Sequence, residues 1–146
     1  MALCDLLQDE AIRAGLVQGC TQLIDEQVAA KGGLSGMAIK TAYGVVKGVE
    51  PTYISAAVER LLPEVLAALE PLWHEGTQTS DPVAHLTQHQ TQAADRLLGV
   101  TDARIERSHN GMVKTSYTRL RQSVKGDVES AVPGLAKIIG AHAWVA

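Results

Sequence analysis

The residue run from Lys31 to Lys40 contains the strongest local signal for binding chemistry. A glycine turn leads into a predicted helix, and the first turn of a helix offers unpaired N–H groups and a positive dipole end to an anion. The candidate ligands for an anion or another small molecule are Gly33, Ser35, Gly36 and Lys40. The run has neither the ending of a phosphate loop nor the serine spacing of a hydrolase nucleophile. A helix C-cap followed by an N-cap explains the same residues, and we give that interpretation more weight.

Two histidines, His85 and His89, stand one helical turn apart, the spacing that lets two imidazoles share a metal ion. Both fall on the polar face of their predicted helix, so a solvated face explains them without a metal. Several glutamates surround the apolar stripe of the long preceding helix, but none of them is followed three residues later by the histidine of a di-metal Glu-x-x-His pair. We therefore predict no metal site and no cofactor.

Nothing in the sequence pairs a nucleophile with a base, so an enzyme is the least favoured class of function. Cys4 and Cys20 have neither metal-type nor redox-type spacing, which is typical of free thiols in a reducing cytosol. The first ten residues lack the basic opening and apolar run of a signal peptide. No apolar stretch is long enough to span a membrane. We expect a cytoplasmic protein.

The net charge of −3 is unevenly distributed along the chain. Residues 1–95 carry five Lys/Arg against twelve Asp/Glu, whereas residues 96–125 carry seven against two. The basic segment could contact an acidic partner, and its interaction candidates, together with one C-terminal aromatic residue, are Arg104, Arg107, Lys114, Arg119, Arg121 and Trp144. Nucleic acid is disfavoured because only one aromatic residue, Tyr117, could stack on bases there. Pairing with the acidic helices, within one chain or between subunits, is the simpler interpretation.

Apolar periodicity predicts helices throughout the chain and no strand. The first runs over 9–31 with Asp9 as its N-cap, and Gly32-Gly33 ends it. Ser35 is expected to cap a second helix that ends near Lys47. Pro51 then suits the first position of a long helix over 51–75, kinked at a proline, followed by a polar loop at 76–80.

Asp81 and Pro82 open the next predicted helix, which ends near Gly99 or continues to Arg107. A turn at 108–111 precedes two further helical segments, at 112–122 and 124–142. No internal repeat is apparent. The fold class is all-α: one domain over 1–146, an antiparallel bundle of five to seven helices. The core residues that we predict are Leu16, Ile24, Ile39, Val58, Leu62, Leu66, Leu97 and Ile139.

The segment 31–43 resembles an uncharacterised family of small bacterial proteins. Shorter matching stretches are 61–63, 100–104 and 131–133, so the resemblance covers most of the chain. It implies a bacterial source and an intracellular helical domain of unknown function. It supplies no catalytic residues.

Two classes of function fit these features. The first is a non-enzymatic interaction or assembly module that pairs with itself or with another protein, as a homo-oligomer for instance. The alternative is a small-ligand binding protein, for an apolar or anionic ligand, with a cavity between helices. A dry, enclosed pocket beside Ser35 and Lys40 would favour this alternative.

Overall fold

Helices form almost the whole of the computed structural model, which describes residues 2–79 and 81–143. The side chains at positions 35, 113, 116, 120 and 123 lie outside that description. A 3₁₀ helix, Leu3–Gln8, precedes six α-helices: α1 (Glu10–Ala30), α2 (Gly33–Val49), α3 (Tyr53–Thr79), α4 (Pro82–Gln88), α5 (Gln90–Glu106) and α6 (Gly111–Ala143). No strand occurs in the described ranges, which confirms the all-α prediction.

Two of the predicted helix starts are confirmed in detail. The Asp9 carboxylate accepts hydrogen bonds from the backbone N–H groups of Ala11 and Ile12, and Asp81 caps α4 in the same way. The predicted cap at Ser35 is wrong, because α2 already begins at Gly33. Gly32 takes the N-cap position without any side-chain hydrogen bond, and Gly33 has a φ of 75° that disfavours a side chain.

The long central helix is confirmed as one element, but it extends further than the sequence predicts. It begins at Tyr53, after a turn that contains Pro51, and continues through Pro63 and Pro71 to Thr79. The predicted loop beginning at Gly76 is wrong for the residues described. A Cβ atom on Gly76 would lie 2.5 Å from the Cα of Pro82, so this glycine allows α4 to approach α3.

The last two predicted segments are joined in a single helix, α6, which has 33 residues. The turn before it is confirmed, since α5 ends at Glu106 and residues 108–110 are not helical. The helix predicted to open at Asp81 does reach this turn, but a break at His89 divides it into α4 and α5.

Close helix pairs define an antiparallel arrangement. Side chains added to Gly15 and Gly19 of α1 would meet His142 and Ile138 of α6, so α6 runs back along α1. Hairpin connections likewise make α5 antiparallel to α6. The core lies between α1, α3 and α6, with contributions from α4, α5 and the 3₁₀ helix. Its fully buried large side chains are Leu16, Leu66, Leu69, Leu72, Leu86, Ile139, Val132 and Pro82.

Burial divides the predicted core residues into two groups. Leu16, Leu62, Leu66 and Ile139 are buried, whereas Ile24, Ile39, Val58 and Leu97 are half-buried. Ile39 belongs to α2, which lies at the edge of the bundle and contacts chiefly α1. Among the described residues, no helix is long and apolar enough to cross a membrane.

Candidate functional site

The glycine turn is a connection between two helices in this structure. Gly33 and Lys40 are exposed, whereas Gly36 is buried against the α1–α2 connection. A Cβ atom on Gly36 would lie 2.5 Å from the carbonyl oxygen of Lys31, which explains why glycine occupies this position. Lys40 lines a shallow depression with Asp25 and Lys47. The Ser35 side chain lies outside the described part of the chain, so the anion site stays a prediction.

The basic segment is partly neutralised by carboxylates of the same chain. Arg104 makes two hydrogen bonds to Glu64, of 2.9 and 3.1 Å, and Lys125 lies 3.4 Å from Asp95. Arg121 donates from Nε to Asp102 at 2.8 Å. These ion pairs join α3 to α5 and α5 to α6, which agrees with pairing within one chain.

The remaining interaction candidates of this segment are exposed. They are Arg107, Lys114 and Arg119. Trp144 lies outside the described residues, and its role as an interaction candidate stays a prediction.

The two histidines lie at the junction of α3, α4 and α5 and not on a solvated face. Only 14% of the His85 side chain is exposed, and its Nε2 lies 3.2 Å from the Glu75 carboxylate. His89 stacks on it with ring centroids 4.2 Å apart and directs Nδ1 to the His85 carbonyl oxygen. Packing of α4 against α3 covers this face, which helical periodicity alone cannot show. No group of three metal-ligating residues is found in the described ranges.

Two polar clusters fasten neighbouring helices together, and we call them the Tyr–Asp clasps. In the first, Tyr43 and Lys47 of α2 both donate to the Asp25 carboxylate of α1. In the second, Tyr117 and Arg121 of α6 donate to Asp102 of α5. The sequence signal for both is a tyrosine followed four residues later by a cation, which places the two donors on one helix face.

The clasps perturb the acidity of their members in a consistent way. The hydrogen bond from Tyr43, followed by that from Lys47, lowers the pKa of Asp25. Arg121 has the largest effect on Asp102 and likewise lowers its pKa. Desolvation and the neighbouring carboxylate raise the pKa of both tyrosines. Each carboxylate is therefore stabilised in its charged form, and the clasps are structural ties between helices.

An apolar cleft of about 400 Å³ lies between α1, α3, α5 and α6. Ile24, Val58 and Leu97, which periodicity assigns to the core, are only half-buried because they line this cleft. Among the lining residues that the structure describes, Gln27 and Asp127 are the polar ones. The other lining residues are Cys20, Leu23, Val28, Leu61, Leu62, Val65, Val124, Val128, Ala131 and Leu135.

The cleft is a stronger candidate site than the larger depression on the other side of α1. That depression has a volume of about 900 Å³, but polar and charged residues such as Arg13 and Glu59 line it. Water solvates such a surface well, whereas an apolar wall gains free energy when a ligand displaces water from it. Burial also raises the pKa of the Cys20 thiol in the cleft to about 11, which keeps the thiol neutral. Gly33, Gly36 and Lys40 of the glycine turn do not line this cleft, so it is distinct from any pocket beside Lys40.

A second apolar feature is the outer face of α2. Leu34 and Val49 near its two ends are 87% and 82% exposed, and Met37 and Val45 are 66% and 61% exposed. Lys40 and Lys47 are the only charged residues of this helix. Contiguous exposed apolar surface of this kind marks interaction sites in soluble proteins.

Residues 3–143 match the model of a family described as a family of unknown function (DUF6918). No curated protein and no solved structure matches the chain significantly.

Proposed function

Because the chain belongs to DUF6918, a family without an assigned activity, we propose a function from the geometry: the protein binds a small apolar molecule in the cleft between α1, α3, α5 and α6. The observation that carries this proposal is the cleft's almost entirely apolar wall. The apolar side chains that line the cleft do not close into a packed core but surround a space of about 400 Å³.

The size of the cleft favours a small molecule over a helix. Ligand pockets have volumes of roughly 300–1,000 Å³, and an apolar cavity of about 150 Å³ already holds benzene. A helix with its side chains is about 10–12 Å across. A partner helix could therefore place only one or two side chains in the space, whereas a ligand somewhat larger than a single ring would fill it.

The charges at the cleft favour a neutral ligand. Asp127 is the only ionisable carboxylate on the wall, and the ammonium of Lys31 already pairs with it. Burying a carboxylate or an ammonium without a partner is costly, so a charged head group would have to stay at the opening. Gln27 can hydrogen-bond to a single polar group of the ligand.

Binding of N-phenyl-1-naphthylamine, a neutral apolar fluorophore, tests this proposal. We expect a saturable rise in fluorescence with a stoichiometry of one, because the probe is transferred from water to an apolar wall. Val128→Asp places a charge in the cleft and should weaken binding at least tenfold. The matched control is Val45→Asp on the exposed face of α2, which should bind as the wild type does.

Access to Cys20 gives a measurement that needs no cleft variant. In a Cys4→Ser protein, the only remaining thiol lines the cleft. Saturating probe should slow its alkylation several-fold. Absence of both saturable fluorescence and thiol protection would contradict the proposal, and loss of binding in Val45→Asp alone would move the site to α2.

A second candidate function, an interaction or assembly module, is favoured by the outer face of α2. Its exposed Leu34, Met37, Val45 and Val49 form a face that two copies of the chain could bury against each other. This function is compatible with ligand binding, since the cleft and this face use different residues.

We also propose a bacterial, cytoplasmic protein that takes no nucleic acid. The two free cysteines fit a reducing compartment. Partial neutralisation of the basic segment by Glu64, Asp95 and Asp102 supports the exclusion of nucleic acid.

A further inference from the structure

The two stretches of the chain that contain the clasp tyrosines share a sequence pattern. Residues 36–47 contain Gly-Met, then Lys-Thr-Ala-Tyr and a lysine four residues after the tyrosine. Residues 111–121 contain Gly-Met, then Lys-Thr-Ser-Tyr and an arginine at the same distance. Further on, 58–63 and 128–133 both begin with Val-Glu and end with proline. The order of these elements is the same in both halves.

Structural roles at these positions agree with the sequence pattern. Tyr43 and Tyr117 occupy the same place in the two clasps. Within and after each Val-Glu-x-x-x-Pro stretch, buried residues occur at the same spacing. They form the pairs Leu62 and Val132, Leu66 and Ala136, and Leu69 and Ile139, none of which is more than 3% exposed.

The helices that come before the clasps also correspond. The 3₁₀ helix and α4 are both short, both bury a leucine (Leu6 and Leu86), and both precede a long helix after one intervening residue. In α1 and α5 a constant separation of 77 residues relates Leu16 to Ala93 in the core and Asp25 to Asp102 in the clasps. The helix contacts between the halves correspond as well. The α1 helix of the first half packs on α6 of the second, and α5 of the second half packs on α3 of the first.

A four-residue difference explains why the halves look unlike. Tyr43 precedes Val58 by 15 residues, whereas Tyr117 precedes Val128 by 11. Four residues are about one helical turn, so their loss keeps the side chains on the same faces and removes the break between helices. The second half therefore has one continuous helix, α6, where the first half has α2 and α3. The separation of the corresponding residues falls from 80 to 70 along the chain, so they have no fixed period, and this is why the sequence by itself suggests no internal repeat.

We infer that residues 3–73 and 83–143 are two copies of one helical unit, that the cleft is the seam between them, and that Ala131 is the residue that opens it to an aliphatic ligand. This inference rests on the proposed function for its ligand. Four pairs of equivalent residues line the cleft: Cys20 and Leu97, Val58 and Val128, Leu61 and Ala131, and Val65 and Leu135. The sizes of the side chains at these paired positions therefore determine the volume of the cleft.

Of these pairs, Leu61 and Ala131 differ most in side-chain size, and theirs is the pair in which the second copy has the smaller residue. The first copy has a leucine there, and the second has an alanine that is half-buried on the wall of the cleft. The missing atoms are those of a branched aliphatic group, so a neutral aliphatic segment of a ligand would replace the leucine side chain that the second copy lacks. Ala131 is therefore a specificity-determining residue, because its small side chain leaves the space that the ligand occupies.

Substitution of Ala131 by the residue of the other copy tests the inference. In Ala131→Leu the added side chain should fill the cleft, weaken binding of N-phenyl-1-naphthylamine at least tenfold, and raise the urea midpoint or leave it unchanged. Ala67→Leu, at an exposed position of α3, is the matched control and should bind the probe like the wild type. The reciprocal change Leu61→Ala should keep binding and admit larger aliphatic competitors.

The outcomes separate this inference from the proposed function. If the wild type does not bind the probe, the proposed function fails, while the urea midpoint of Ala131→Leu still tests the equivalence of the two copies. If the wild type binds and Ala131→Leu binds equally well, the assignment of Ala131 is overturned. If Ala131→Leu is less stable than Ala67→Leu, position 131 has no room for the leucine of the other copy, and the inference is overturned as well.

Discussion

At the scale of single residues, Asp25 and Asp102 each tie two neighbouring helices together. Each carboxylate accepts a hydrogen bond from a tyrosine hydroxyl and another from a cation of the next helix. For α2 this tie has particular weight, because apart from Gly36 no residue of that helix whose burial is described is fully buried.

These contacts predict a pH dependence of stability. The hydrogen bonds lower the pKa of Asp25 and Asp102 in the folded protein below the value of about 3.9 in an unfolded chain. Their stabilisation is therefore complete above about pH 4 and is lost as the pH falls through the folded-state pKa. Because 39% and 35% of the two side chains are exposed, solvent screening keeps the contribution small.

Urea unfolding at pH 7 and at pH 3 measures this contribution. The wild type should lose more stability between the two pH values than the double variant Asp25→Asn/Asp102→Asn does. Glu26→Gln/Glu106→Gln, at exposed positions of the same two helices, serves as the control with the same change in charge. An equal loss in the wild type and in the clasp variant would contradict the assignment.

At the scale of elements, helix propensity and tertiary contact make opposite demands on glycine. Gly76 lies inside α3, where an alanine would ordinarily stabilise the helix by about 0.5–1 kcal/mol. The close approach of α4 reverses this preference, since the added Cβ atom would lie 2.5 Å from Pro82 and 2.9 Å from His85. The absence of a side chain at Gly76 thus allows α4 to pack closely against α3.

Gly76→Ala should therefore destabilise the protein, by roughly 1–3 kcal/mol, as is usual for overpacking. Gly99→Ala in α5 is the matched control, because no atom lies within 4 Å of its added Cβ. It should stabilise the protein by about 0.5–1 kcal/mol through helix propensity. The free energy of unfolding in urea measures both effects, and a gain of the same size at both positions would contradict the close approach.

At the scale of the whole molecule, the charge asymmetry of the sequence is partly compensated by contacts within the chain. Glu64, Asp95 and Asp102 pair with three cations of the basic segment. Residual association between chains would therefore depend on apolar surface. Among the described residues, the outer face of α2 has more exposed large apolar side chains than any other helix.

Multi-angle light scattering over a range of protein concentrations tests this second candidate function. Association through α2 should give a dimer mass that persists at about 0.5 M salt, because apolar contacts are not screened. Val45→Asp should give a monomer, and Ala67→Asp on α3 should behave as the wild type. A monomer mass at every concentration would exclude assembly through this face.

Local patterns in the sequence were sufficient to predict most of the helical content. The side chains of Asp9 and Asp81 bond to backbone groups within three residues, so the start of each helix can be read from its own residues. Apolar periodicity likewise assigned Leu16, Leu66 and Ile139 to the core, because it reports which face of a helix is apolar.

Periodicity does not report what lies opposite that face, and this is what the tertiary structure decided. Ile24, Val58 and Leu97 have the same pattern as the core residues but face a cleft, because an alanine at position 131 leaves space across from them. The sequence predicts that a helix ends near Gly76, whereas the structure shows that this glycine allows α4 to pack closely against α3. The clasps and the repeat likewise depend on residues far apart in sequence, which only the packing of the helices brings together.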